Sequence, residues 1–396
     1  VSFDWAVVGN PDNAADPDNG LGTVADTFAV ARTNVSNRQY VEFLNAKAMD
    51  DQYGLFSSQM MSSSHGGIVR LGDIGSYSYA VKEDALGVQA GRDYSYANKP
   101  VVFVTWFNAV RFVNWMHNSQ GDGDTESGAY DLTQLPADLS QPFTVSRNSD
   151  AKYWLPSLDE WYKAAFHDAS AGKSAVYFDF ATGSNSVPDS DDPATLDTPN
   201  TTNVANFTRY APGDGYNSGE AMPNRMYPLT DVGAYSETTS SYGAFDMAGN
   251  VWEWTETNSV SPSDSVLMGV SGSAWRSDFQ VLLSGQPVGI GSSPLSVAID
   301  RGFRVATIPE PTALALAAML AGWGLMRRQS LMPAPVPQRR DKRYTRKCRC
   351  GRLRHSNQRD QPEWVGVVAR VGSVEREIQF GVVGVVVGSR IVQEVR

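Results

Sequence analysis

Cysteine is almost missing from this chain: among 396 residues only Cys348 and Cys350 carry a thiol. One residue separates them and no second pair exists, so a disulfide framework and a four-ligand zinc site are both excluded. The first 347 residues also have no thiol nucleophile and no thiolate metal ligand. Histidine is scarce as well. His65, His117, His167 and His355 never pair at i, i+4, and none sits in a His-x-Glu step. Positive charge is thin over residues 1–326, where 17 Lys and Arg face 37 Asp and Glu, a net charge of −20. Nucleic acid is therefore no partner for this part, because binding it would add repulsion instead of releasing counterions. Long apolar runs are lacking too. The longest uncharged stretch of this kind, Thr312 to Met326, would span roughly 22 Å as a helix, against about 30 Å of bilayer hydrocarbon.

What is abundant points to a loop-rich globular protein. Gly (35 residues) and Pro (21) are frequent, and Asp and Asn cluster with them between residues 4 and 26 and again from 169 to 242. Ten Trp and sixteen Tyr provide large buried areas. Three helices are predicted. Ser36 followed by Gln39 forms a capping box that opens a helix over 37–47, with Tyr40, Phe43 and Leu44 on one face. A second helix follows Thr105, with Trp106, Val110 and Val113 on its stripe. A third starts after Ser157, again with Glu160 three residues on, and turns Trp161, Ala164 and Ala165 inward. His117 and His167 fall at helix ends, which predicts exposure or a favourable dipole contact for both. Short strands are predicted at Val251–Thr255, Val266–Val270 and Gly302–Ala306.

The character changes at Pro309-Glu310-Pro311. The apolar stretch follows, then Arg327-Arg328, and residues 327–396 carry 16 basic and 6 acidic side chains, net +10. An all-round apolar helix flanked by arginines predicts membrane insertion with the basic side inward. The chain begins at Val1 without a basic-then-apolar leader, so an export signal is expected to lie upstream or to have been removed. Residues 329–396 form a basic tail, expected to be disordered or not native to the reading frame.

Five blocks carry a family likeness: VSNRQYVEFLNA (35–46), PVVFVTWFNAVRFVNWM (100–116), YWLPSLDEWYKAA (153–165), YGAFDMAGNVWEW (242–254) and RGFRVA (301–306). In this order they resemble the formylglycine-generating enzyme (sulfatase-modifying factor) family and cover most of residues 25–306. The resemblance implies an α+β, C-type-lectin-like fold over 1–308, loop-rich with few helices and irregular strands. The family's enzymes hold copper on two cysteines after a Gly-Gly-Ser-type strand and oxidise a sulfatase cysteine to formylglycine. Here residues 270–287 contain no cysteine. Ser or Asp cannot replace a soft thiolate for monovalent copper, so no copper and no oxidase activity are expected. A histidine-held iron, used by other branches of the fold, is not expected either.

The resemblance further implies structural calcium. One set maps to Asp246, Gly249, Val251 and Glu253, with carbonyls from Gly249 and Val251; a second maps to Asn206, Phe207, Asp214 and Tyr216. Asp246 and Glu253 could instead cap turns and pair with Arg301 or Arg304. Trp275 and Arg276 are the candidates for a binding groove at the former active site. Residues 309–328 resemble a PEP-type sorting signal, its parts being Pro309, Glu310 and Pro311, the apolar stretch, and Arg327 and Arg328. That likeness implies an exosortase-type protease as partner, a transient membrane anchor, and an exported, surface-associated protein. The expected function is a non-catalytic binding or scaffold module for exopolysaccharide or a surface protein. The alternative is an enzyme of the same superfamily with altered chemistry.

Overall fold

The computed structural model describes residues 1–84, 95–139, 141, 143–191, 201–208, 228–260, 266–284 and 290–309, together with two strands at 367–371 and 374–378. The first helix, α1 (Asn37–Lys47), starts at the predicted box. Ser36 Oγ accepts from the Gln39 N–H, and Gln39 Oε1 accepts from the Ser36 N–H at 2.9 Å. Tyr40, Phe43 and Leu44 are buried. A short helix, α2 (Ser58–Ser62), and the hairpin β3 (Ile68–Leu71) with β4 (Ser78–Val81) come next. The second predicted helix, α3 (Trp106–His117), is apolar over most of its circumference and is buried accordingly. The third, α4 (Leu158–Phe166), again opens on its capping box, with Glu160 Oε2 accepting from the Ser157 N–H at 2.8 Å.

Two four-stranded sheets frame these helices. One runs β1 (Trp5–Val8), β2 (Phe28–Ala31), β12 (Ala306–Thr307), β5 (Tyr153–Trp154), with antiparallel neighbours throughout. The other runs β10 (Ile290–Ser292), β9 (Val266–Ser271), β8 (Trp252–Val260), β11 (Arg301–Gly302), with β11 parallel to β8. The short parallel pair β6 (Asp189–Ser190) and β7 (Val204–Ala205) lies in the polar region. Helix α4 packs on β8 and β9. The combination is α+β. Strands β13 (Val367–Val371) and β14 (Val374–Ile378) pair antiparallel in a separate unit.

Two expectations need correction. Residues 302–306 are not one strand, because the chain crosses there from the second sheet to the first, pairing with β8 at 301–302 and with β2 at 306–307. That crossing turns Arg304 into the core. His167 is not exposed: it is fully buried, its Nδ1 lies 2.8 Å from Tyr242 Oη, and its Nε2 lies 3.1 Å from the Ser174 carbonyl. Burial pushes its pKa below the ordinary histidine value.

A partly buried ionic cluster ties α4 to β8. Arg147 bonds Glu160 (2.9 Å) and Glu256 (3.1 Å) and lies over the Trp154 ring. The Tyr130 hydroxyl donates to Glu256 Oε2 at 2.7 Å and accepts from the Leu155 N–H. An irregularity in β8 between Trp254 and Asn258 frees the Glu256 N–H to donate to the Pro156 carbonyl. Two carboxylates against one guanidinium leave this partly buried cluster one negative charge in excess. Burial pushes Glu256 up to about 7, while Arg147 pulls the other way. The folded state thus favours the protonated acid over the unfolded chain, whose value is 4.5. This group's contribution is full below pH 4.5 and is lost as pH rises through about 7, a loss of about 3 kcal/mol. Glu256→Gln keeps an acceptor for Tyr130 and cannot ionise, so its stability should fall less than wild type between pH 5 and pH 8. Denaturant titrations at both values check this, and parallel pH curves for the two proteins would rule it out.

Candidate functional site

The segment from Asp246 to Asn250 is a tight turn with three residues in the left-handed region, Asp246 (φ 54°), Gly249 (φ 83°) and Asn250 (φ 61°). Only glycine fits at 249, because a Cβ there would stand 2.2 Å from the Asn206 carbonyl oxygen. The Asn250 N–H donates to that same oxygen at 2.9 Å, and the Gly249 N–H donates to Ser273 Oγ at 2.7 Å. The Trp275 N–H donates to the Asn250 carbonyl at 3.0 Å. The turn therefore fixes residues 273–276, which follow β9.

Glu253 leaves this turn on β8 and enters the core. Arg304 meets it with two bonds of 2.6 Å, Nε to Oε2 and Nη2 to Oε1. The Trp161 indole N–H donates to Oε2 at 2.8 Å, and Asn34 Nδ2 donates to Oε1 at 2.8 Å. Four donors saturate the carboxylate. Arg304 spends its remaining N–H groups on the carbonyls of Ala31, Arg32 and Phe245, and is itself fully buried. The result is a clamp joining β2, the 245 turn, β8 and the crossing segment.

This arrangement bears on calcium. Asp246, Gly249, Val251 and Glu253 are close in the chain, but they do not fit a calcium ion as they stand. Glu253 has no free lone pair and a guanidinium occupies its bidentate face. Asp246 Oδ2 accepts from the Gly233 N–H at 2.6 Å, and burial pushes this acid up to about 6. Asn34 Oδ1 and Ser271 Oγ are buried without partners among the described residues. Among the described residues no three His, Cys, Asp or Glu side chains converge. In the second set, Asn206 Nδ2 bonds the Pro228 carbonyl and the Phe207 carbonyl accepts from the Ser190 hydroxyl. Asp214 and Tyr216 lie outside the described residues, as do Glu310, Pro311, Arg327 and Arg328. Pro309 is the last described residue before them.

The groove candidates come together with partners that the sequence did not suggest. Trp275 is half-buried and stacks on His65, with ring centroids 5.5 Å apart and planes 15° from parallel. Arg276 Nε donates to Asp300 Oδ2 at 2.6 Å. The Asp300 side chain is 3 % exposed, whereas that of Arg276 is 56 % exposed. Arg301 Nη1 donates to Ser292 Oγ and its guanidinium lies over the Trp254 ring. His65 comes from more than 200 residues before Trp275, and Asp300 and Arg301 from about 25 residues after it, so no local pattern could group them. The one legible signal was the family resemblance, which places Trp275 and Arg276 at the former active site.

A model of the sulfatase-modifying factor enzyme 1-like domain matches residues 8–308. No curated protein matches the sequence. Among solved structures, CarF aligns at 19 % identity over 78 % of this chain and 99 % of its own, with a TM-score of 0.46. Variable protein 1 of Treponema denticola aligns at 16 % identity over 78 % and 96 %, with a TM-score of 0.44. PvdO from Pseudomonas aeruginosa aligns at 17 % identity over 78 % and 93 %, with a TM-score of 0.38.

Proposed function

The chain belongs to the sulfatase-modifying factor enzyme 1-like family, and we propose that it acts as a non-catalytic binding or scaffold module at a cell surface. The observation that carries this reading is chemical. No thiol occurs in residues 1–347, and the stretch after β9 holds Ser273, Trp275, Arg276 and Ser277 instead. Ser273 and Ser277 are spent on backbone N–H groups of Gly249 and Ala274. A copper-thiolate oxidation has neither its soft ligand nor its redox centre here. What remains is a rigid turn presenting an aromatic ring and an anchored arginine, an arrangement suited to holding a ligand. The lectin-like character implied by the sequence resemblance belongs to the same proposal, with exopolysaccharide or a surface protein as ligand.

Surface location is proposed from the sequence pattern at 309–328, with an exosortase-type protease as the partner that would process it. Among the described residues no helix is long and apolar enough to cross a membrane. Calcium is left out of the proposed function because Glu253 is committed to Arg304. The test of the function is incubation of the full chain with a cysteine-containing sulfatase peptide, with and without copper. No aldehyde should form, and stoichiometric formylglycine would overturn the reading. Fractionation of the product of the native gene tests the location, which fails if the protein stays in the soluble cytoplasm.

A further inference from the structure

Resting on the binding-module reading, we propose that the corner formed by His65, Trp275, Arg276 and Arg301 binds the carboxylate of an acidic saccharide. The first reason is preorganisation. Arg276 is tethered through Nε by a buried carboxylate, yet more than half of its side chain is exposed. Neither of its terminal nitrogens has a partner among the described residues. A guanidinium held by one edge and open on the other is a fork ready for a planar oxyanion, and little rotamer freedom is left to lose on binding.

The second reason is charge. Residues 1–326 carry −20 overall, so a corner with an excess of positive charge is the exception on this domain. At this corner Arg276 and Arg301 outnumber Asp300 by one charge. Burial pushes His65 below its ordinary pKa, so its ring adds less positive charge to the corner than an exposed histidine would. Two more N–H donors, Trp275 Nε1 and Arg301 Nε, are buried here without acceptors. Withdrawn from solvent, they make no direct contact with a ligand, but their unanswered dipoles deepen the positive potential.

The third reason is shape. The near-parallel His65–Trp275 pair forms a flat, rigid edge beside the fork. A pyranose ring carrying a carboxylate can rest on such an edge while its carboxylate meets Arg276. A neutral sugar would use the edge and leave the fork unpaired, and a free inorganic anion would use the fork alone.

The experiment is a binding titration of the full chain with polygalacturonate, with dextran as the neutral polymer and acetate as the free carboxylate. Polygalacturonate should bind, should weaken as salt rises, and should bind roughly tenfold more weakly to Arg276→Gln. Arg276→Lys, which keeps the charge but loses the fork, should lose most of that same factor. Lys173→Gln, at an exposed pair with Asp12, should change nothing. A thermal melt of each variant shows that it is folded. Equal binding of dextran and polygalacturonate, or full affinity in Arg276→Gln, overturns the carboxylate assignment and leaves the binding-module reading standing. Binding of acetate as tight per carboxylate as polygalacturonate would reduce the site to a simple anion fork and also overturns it. If no glycan binds at all, the saccharide ligand falls for both readings.

Discussion

Glu253→Gln lowers the unfolding free energy by about 3–5 kcal/mol, equally in calcium and in chelator. The substitution leaves Arg304 fully buried with only one acceptor oxygen where a bidentate carboxylate stood. One amide N–H is then forced against a guanidinium N–H. The uncompensated cation has no water to turn to, because Trp161, Asn34 and the carbonyls of Ala31 and Phe245 close the space around it. Arg304→Lys is expected to fall in the same range. One ammonium offers three donors where the guanidinium used all five, and the clamp would lose its hold on at least two segments. Chemical denaturation of both variants with EDTA and with millimolar calcium checks this. A loss seen only in calcium would mean that Glu253 serves a metal and that Arg304 is incidental.

Gly249→Ala is expected to cost on the order of 3 kcal/mol or more. The left-handed backbone alone costs an alanine roughly 1–2 kcal/mol. The rest comes from collision. The new Cβ would lie 2.2 Å from the Asn206 carbonyl oxygen, and both atoms belong to or sit on backbone that cannot swing away. Separating them breaks the Asn250–Asn206 bond and disturbs the placement of Ser273 and Trp275. Gly54→Ala is the control. Gly54 also has a positive φ, 61°, but nothing lies within 4 Å of an added Cβ. It should show the conformational cost and no more. Equal losses at the two positions, measured by urea denaturation, would mean that the close approach at Asn206 contributes nothing. Since the turn sets the 273–276 segment, Gly249→Ala should also weaken ligand binding at Arg276 in whatever fraction remains folded.

The sequence by itself determined the helices, their caps and most of their buried faces. Those are local matters: Ser36 with Gln39, and Ser157 with Glu160, satisfy N–H groups three residues away, and apolar spacing marks the face that meets the core. It also determined the chemistry that is missing, because a thiol cannot be supplied by folding. The family membership was legible for a related reason, since five blocks kept their order along the chain. The tertiary structure alone decided how the charged residues are used. The family resemblance mapped Glu253 as a metal ligand together with Asp246 and the carbonyls of one tight turn. Whether such a carboxylate faces a cation or a guanidinium depends on which distant segment arrives beside it. Here the crossing at 302–306 delivers Arg304, a path invisible to a strand pattern because its two ends pair with different sheets. The same holds for Arg276. Its sequence neighbours named it, but only the packing of Asp300 beneath it and His65 against Trp275 turns an ordinary exposed arginine into an anchored fork. Propensity and capping act over a few residues, whereas electrostatic partnership is set by contacts made after the chain has folded back on itself, across 51 residues for Glu253 and Arg304 and 24 for Arg276 and Asp300.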